Sequence, residues 1–182
     1  MLKNSDREYG IIAKGFHWLL FFMLTFSVVA GNFMAAMPKG AEKLQAAGMH
    51  KSFGVILLIL IMLRFFWKLI NTTPKPPAGT TMIEHLLAQG MHWLLYVLMF
   101  AQPLSGILMS QATGYPVNAF GLFEVPTLID KDPEVAKIFR SGHGVIWIVL
   151  TVAASGHVAA AMFHHFIRKD SVLSSMTAGS NG

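Results

Sequence analysis

Four apolar stretches, at about residues 16–36, 49–70, 91–109 and 141–167, confine what this 182-residue chain can become. Each supplies the ~20 residues that an α-helix needs to cross roughly 30 Å of hydrocarbon. Lipid offers no partner to a backbone N–H or C=O group, so such stretches cross as helices. Four of them predict an all-α fold, an integral membrane four-helix bundle. Composition agrees, since 54% of residues are hydrophobic and only 13% charged, with mean hydropathy +0.54, more apolar than a soluble domain of this length. Little chain is left over, so residues 1–182 are expected to form a single membrane domain.

Lys3, Arg7 and Lys14 precede the first stretch and Ala35 and Ala36 follow it, which imitates a signal peptide. Its apolar run exceeds the roughly 7–15 residues of such a segment, so it reads as a retained helix. With the N-terminus inside, the inner side carries Lys3, Arg7, Lys14, Arg64, Lys68, Lys75, Arg168 and Lys169, and the outer side Lys39, Lys43, Lys51, Lys131, Lys137 and Arg140. The bias favours both termini in the cytoplasm. These cations flank spans, and nucleic acid is not among the expected partners. Pro74, Pro76, Pro77 and Gly79 make residues 71–81 an extended cytoplasmic linker. Residues 111–139 form a long periplasmic loop whose apolar patch, Asn118–Ile129, is too short to span and is expected to lie as a lid at the outer interface.

Histidines give the chain its chemistry. His17 opens the first span, near the inner face, and His50 opens the second, near the outer face. On the inward-running fourth span His143 lies at the outer mouth, and His157 follows fourteen residues later, roughly 21 Å deeper. Fourteen steps of 100° return to within ~40° of the starting direction, so both rings share a face. Depth therefore pairs His50 with His143 and His17 with His157. A bis-histidine pair from facing helices holds a low-spin b-type haem, and small residues around the ligands, Gly142, Gly144, Gly156 and Gly48 among them, let a flat macrocycle approach.

The absence of cysteine removes disulfides, thiolate-held iron–sulfur clusters and covalent c-type haem, so haem here is held non-covalently. Each histidine taken singly also suits an interfacial side chain with its polar tip in the headgroups, and a haem-free scaffold follows if all four are of that kind. Zinc asks for four donors at one point, whereas these fall at two depths. A proton relay asks for carboxylates within spans, and these spans contain none.

The motifs GFHWLL, MHKSFG, FGLFEVP, SGHGVIW and SGHVAAAMFHHFIRKD make the chain similar, over nearly its whole length, to the bacterial cytochrome b561 family of di-haem inner-membrane proteins. The resemblance implies axial ligation of one haem iron by His17 with His157 and of the other by His50 with His143. It further implies electron transfer between a quinone pool at one haem and a donor or acceptor at the other face, with ubiquinone or menaquinone as exchangeable substrate.

The remaining polar residues are placed around that frame. His164, seven residues past His157, is a candidate hydrogen-bond partner for a quinone carbonyl, although His164 and His165 beside Arg168 and Lys169 also look like a cationic collar. His92 is a candidate contact for a haem propionate, and His85 is expected to meet solvent. Arg64 is expected to snorkel to the interface, with a propionate or a quinone headgroup as the other attraction. Lys43, Lys51, Lys137 and Arg140 form a candidate positive funnel at the outer mouth for a small anion such as superoxide. A periplasmic redox partner is the other expected reactant there. The alternative is a haem-bearing anchor that passes electrons to a separate catalytic subunit.

Overall fold

The structure, a computed structural model, describes residues 1–177; the last five residues of the expected single domain lie outside the described residues. Four long helices carry the fold: α1 (Ile11–Ala36), α2 (Ala41–Leu69), α3 (Met82–Ala112) and α4 (Pro133–Phe163), each with a stretch long and apolar enough to cross a membrane. α4 continues through one π-helical turn, His164–Arg168. Every helix begins before the apolar stretch that announced it, because hydropathy sees only the lipid-facing portion; in α3 and α4 the start is set by a side-chain cap on the first N–H groups. α3 starts nine residues early at a capping box, in which the Thr81 hydroxyl accepts from the Glu84 N–H and the Glu84 carboxylate accepts from the Thr81 N–H. α4 starts eight residues early behind Asp132, whose carboxylate accepts from the N–H groups of Glu134 and Val135, with Pro133 in the first turn.

The long outer connection is shorter than its sequence suggests, because residues 133–139 are helical. What remains holds a two-residue antiparallel pair, β1 (Asn118–Ala119) with β2 (Phe123–Glu124). Val117 and Ala119, at the start of its apolar patch, are fully buried against Val55 and Ile107, while Phe120, Leu122, Phe123 and Leu128 of the patch are exposed at the loop end. The Ser52 hydroxyl donates to the Asn118 carbonyl (2.8 Å) and accepts from the Phe120 N–H (3.1 Å).

The N-terminal segment and the last described residues share the opposite end. Asn4 is tied to Asn71 and Thr72, and the Trp18 indole donates to the Met176 carbonyl at 2.9 Å. α3 packs on α4 and on α2, and α2 packs on α1. Leu20, Leu57, Ile61, Tyr96, Met99 and Leu150 fill the middle, while Phe22, Phe33 and Val152 face outward as a lipid belt. Because lipid is as apolar as leucine, the packed interior is held by contact rather than by exclusion of water. Ile61→Ala, at a fully buried position, is expected to cost roughly 2 kcal/mol through the cavity it leaves, whereas Phe22→Ala on the belt should leave stability nearly unchanged. Denaturation of both variants in mixed micelles checks the difference.

Candidate functional site

The four span histidines meet in two pairs. Toward the terminal end, His17 on α1 and His157 on α4 have ring centroids 6.2 Å apart. At the loop end, His50 on α2 and His143 on α4 are 6.5 Å apart with perpendicular planes. All four rings are half-buried. α4 supplies one member of each pair, yet it is fastened chiefly to α3 and keeps its backbone away from α1 and α2; side chains alone face each other across that space.

The loop-end pair has a defined hydrogen-bonding frame. The Ser105 hydroxyl donates its proton to the Gln102 carbonyl (2.8 Å), so it accepts from His143 Nδ1–H (3.0 Å). This fixes the His143 tautomer with a lone pair on Nε2, toward which the Gln102 amide nitrogen points at 3.1 Å. Pro103, between the two partners, carries no N–H and so loosens α3 there. Glycine is needed on both flanks: a methyl at Gly31 falls 3.1 Å from His50 Cε1, and one at Gly106 falls 3.1 Å from His143 Cε1. His50 Nδ1 and Gln102 Oε1 are buried without a partner.

The terminal-end pair is surrounded by cations. Arg64 donates to His17 Nδ1 at 3.1 Å and lies 5.7 Å from the Tyr96 ring centre. This corrects the expectation that Arg64 snorkels away, since a ring nitrogen and an aromatic face within the bundle offer the guanidinium partners that the headgroups would otherwise supply. Lys68 sits over Trp93 (4.4 Å) and Tyr96 (4.9 Å). His92 joins this group, its ring 5.5 Å from His157.

The chemistry of these donors fits b-type haem. Two imidazole nitrogens on opposite sides of one metal, each about 2 Å from it, put the ring centres about 6 Å apart, close to both observed separations. A hydrogen bond from the second nitrogen to a neighbouring acceptor, as His143 makes to Ser105, is the usual support of a ligating histidine. Arg64 and Lys68 are suitable cationic partners for propionates, and the His92 ring N–H a suitable neutral donor.

Elsewhere the residues separate. His164 Nδ1 meets Asp170 Oδ2 at 2.5 Å, a partner that reading the span alone did not find because Asp170 lies beyond it. Gln102 and Ser105 were also missed, although polar residues inside the third span were the available signal. His165 is exposed, edge-on to Phe166, and His85 meets Gln89 one turn on, at 2.9 Å. At the loop end Lys43 donates to the Ala35 and Met37 carbonyls, closing α1. Lys51 donates to Ser110 and to the Pro116 carbonyl, and Lys137 pairs with Glu134 at 2.7 Å. The candidate funnel is therefore partly committed to structure, with Arg140 exposed beside it.

Comparison with known proteins agrees with this geometry. Residues 8–179 match the family described as prokaryotic cytochrome b561. The chain is 32% identical to cytochrome b561 homolog 2 of Escherichia coli (strain K12), over 98% of this chain and 95% of that protein. It is 27% identical to the probable superoxide oxidase CybB of Yersinia pestis, over 97% and 99%, and 26% identical to cytochrome b561 homolog 1 of Escherichia coli (strain K12), over 86% and 89%. With four spanning helices and a match over almost its whole length, the chain belongs to the prokaryotic cytochrome b561 family, multi-pass bacterial membrane proteins of electron transfer whose family character implies b-type haem.

Proposed function

We propose that this chain is a transmembrane di-haem cytochrome that carries electrons between a reactant at its loop end and quinone at its terminal end. The observation that carries the reading is the pairing of four half-buried histidines at two depths, with α4 contributing to both pairs. His17 and His157 would hold one haem and His50 and His143 the other; the haems supply reversible one-electron chemistry when bound. The charge bias of the flanks supports both termini, and the 71–81 linker, in the cytoplasm, with the chain in the inner membrane and the connection before α4 in the periplasm.

The residues of the chain then have distinct tasks. Ser105 holds His143 by its Nδ1–H and leaves Nε2 for iron, so Gln102, now pointing at that nitrogen, must give way. Gly31 and Gly106 keep the space beside His50 and His143 free of side chains. At the other pair, a neutral His17 that accepts from Arg64 at Nδ1 carries its proton on Nε2. Ligation of a haem by His17 would require this hydrogen bond to give way, and Arg64 would then be available to a propionate or a quinone headgroup beside Lys68 and His92. Superoxide suits the loop end: each anion gives one electron and leaves as dioxygen, and two electrons with two protons convert quinone to quinol at the terminal end. The relative named probable superoxide oxidase supports this choice of donor. A periplasmic redox partner is the other reactant compatible with that face, and ubiquinone or menaquinone the substrate at the terminal end.

Two measurements test the reading. A pyridine haemochrome assay on the purified chain should count two b haems, and His157→Ala and His143→Ala should each retain one and lose electron transfer across the protein. Full haem retention in either variant would sink the assignment of its ligand. In a redox titration, Ser105→Ala should raise one midpoint potential and leave the other in place, because a histidine that loses its acceptor donates less charge to iron. A hydrogen bond worth about 1 kcal/mol corresponds to a shift of about 40 mV.

A further inference from the structure

The chain beyond α4 is folded back on itself in a way that α-helix geometry does not give. Six residues of regular helix would put Asp170 about 9 Å along the axis from His164 and on another face. Instead, the π-helical turn ends at Lys169, whose backbone is left-handed (φ 54°, ψ 37°), and the N–H groups of Lys169 and Asp170 both donate to the His164 carbonyl. A lysine in this conformation is uncommon. The outcome is that Asp170 Oδ2 reaches His164 Nδ1 at 2.5 Å while Asp170 Oδ1 accepts from the Val172 N–H at 3.0 Å. Both carboxylate oxygens are thus occupied, one by backbone and one by the imidazole.

The surroundings keep this pair apart from its neighbours. Arg168, whose charge reaches Asp170, is itself paired with Glu84 of α3. The tail that contains Asp170 is fastened to α1 by the Trp18–Met176 hydrogen bond, and Trp18 also stands edge-on to His17 at 5.4 Å. Burial opposes ionisation of Asp170, but hydrogen bonds from His164 and Val172 and the charge of Arg168 outweigh it and hold the carboxyl below the ordinary range. His164 and Asp170 side chains keep 23% and 20% of their exposure, enough to exchange protons with water.

From this geometry we propose that Asp170 is a positioning residue for proton transfer to quinone: it holds His164 by Nδ1–H so that Nε2 is the nitrogen presented for hydrogen bonding. The inference rests on the reading of a quinone site beside the His17–His157 pair. Seven residues separate His164 from His157, about 10 Å along α4 and on nearly the same face. Reduction of one quinone takes two electrons, delivered through the haems, and two protons. The His164 imidazolium gives its Nε2 proton to one carbonyl oxygen and becomes neutral, still donating Nδ1–H to the Asp170 carboxylate. Water returns that proton to Nε2, and water protonates the second quinone oxygen. The carboxylate holds the ring by Nδ1 and prevents it from presenting its other nitrogen.

The test is stopped-flow reoxidation of the haem-loaded, stoichiometrically reduced protein in detergent by a short-chain ubiquinone analogue at increasing concentration. His164→Ala should lower the limiting rate by about 100-fold, the lower range for loss of a positioned acid, and Asp170→Asn by about tenfold. The half-saturating quinone concentration and the haem spectrum should be unchanged in Asp170→Asn, and Asp170→Glu should recover most of the rate. A limiting rate in Asp170→Asn equal to that of the unaltered protein, with His164→Ala slow, overturns the inference and leaves the quinone reading standing. Unaltered haem that the quinone does not reoxidise overturns both. If Asp170→Asn is not isolated with haem, Val172→Pro keeps the carboxylate and removes the N–H that orients it; slowing there supports the inference, and an unchanged limiting rate overturns it.

Discussion

The geometry of this molecule depends on α4 being held to the bundle from one side only. α3 grips it, through contacts that continue into α2, and its other face looks across to α1 and α2 with histidines at positions 143 and 157. The fourteen-residue spacing puts those rings on one face at two depths, and α2, running the same way as α4, and α1, running the opposite way, place His50 and His17 at the matching levels. Had α4 packed closely on α1, the imidazole centroids could not stand about 6 Å apart. The small residues Gly31 and Gly106 serve the same spacing, since a side chain at either would press on the His50 or the His143 ring.

Spans and histidine pairs were legible because they are written as counts and periods along one chain. Twenty apolar residues report the thickness of a bilayer, and depth in a helix follows from 1.5 Å per residue. Helix ends were less legible. Thr81 with Glu84 and Asp132 with Pro133 cap their helices well outside the apolar stretches, so hydropathy placed those starts eight or nine residues too late. The patch after Pro116 read as a surface lid, and Phe120, Leu122, Phe123 and Leu128 are indeed exposed, but Val117 and Ala119 at its start are core residues; nothing in its length tells which residues turn inward.

Among the site residues, the division is between groups that act by position and groups that act by contact. Gln102 and Ser105 looked like stray polar residues of a span, and their meaning appears only when α4 brings His143 against them. Asp170 depends on a left-handed lysine and a π-helical turn, neither of which has a sequence period. Arg64 was visible as a charge within reach of the interface, but whether it turns outward or inward is decided by Tyr96 on α3 and His17 on α1.

The two pairs also differ electrostatically, and the difference bears on the proposed direction of flow. At the loop end His143 has neutral partners, and Ser105 as an acceptor makes the imidazole a better electron donor, which favours oxidised iron. At the terminal end Arg64 donates to His17, and Lys68 lies one turn further along α2, over Trp93 and Tyr96. Positive charge in a medium of low dielectric favours the state with one more electron. On the proposed reading, the haem at His17 and His157 is therefore the better acceptor, and electrons run from the loop end toward the quinone end. Propionates would neutralise part of that charge, and the gradient persists to the extent that the cations exceed them. On the proposed reading, Arg64 and Lys68 at one end of α2 and the Ser105 hydroxyl toward the far end of α3 act in the same direction on the two haems, with no moving part required of the chain.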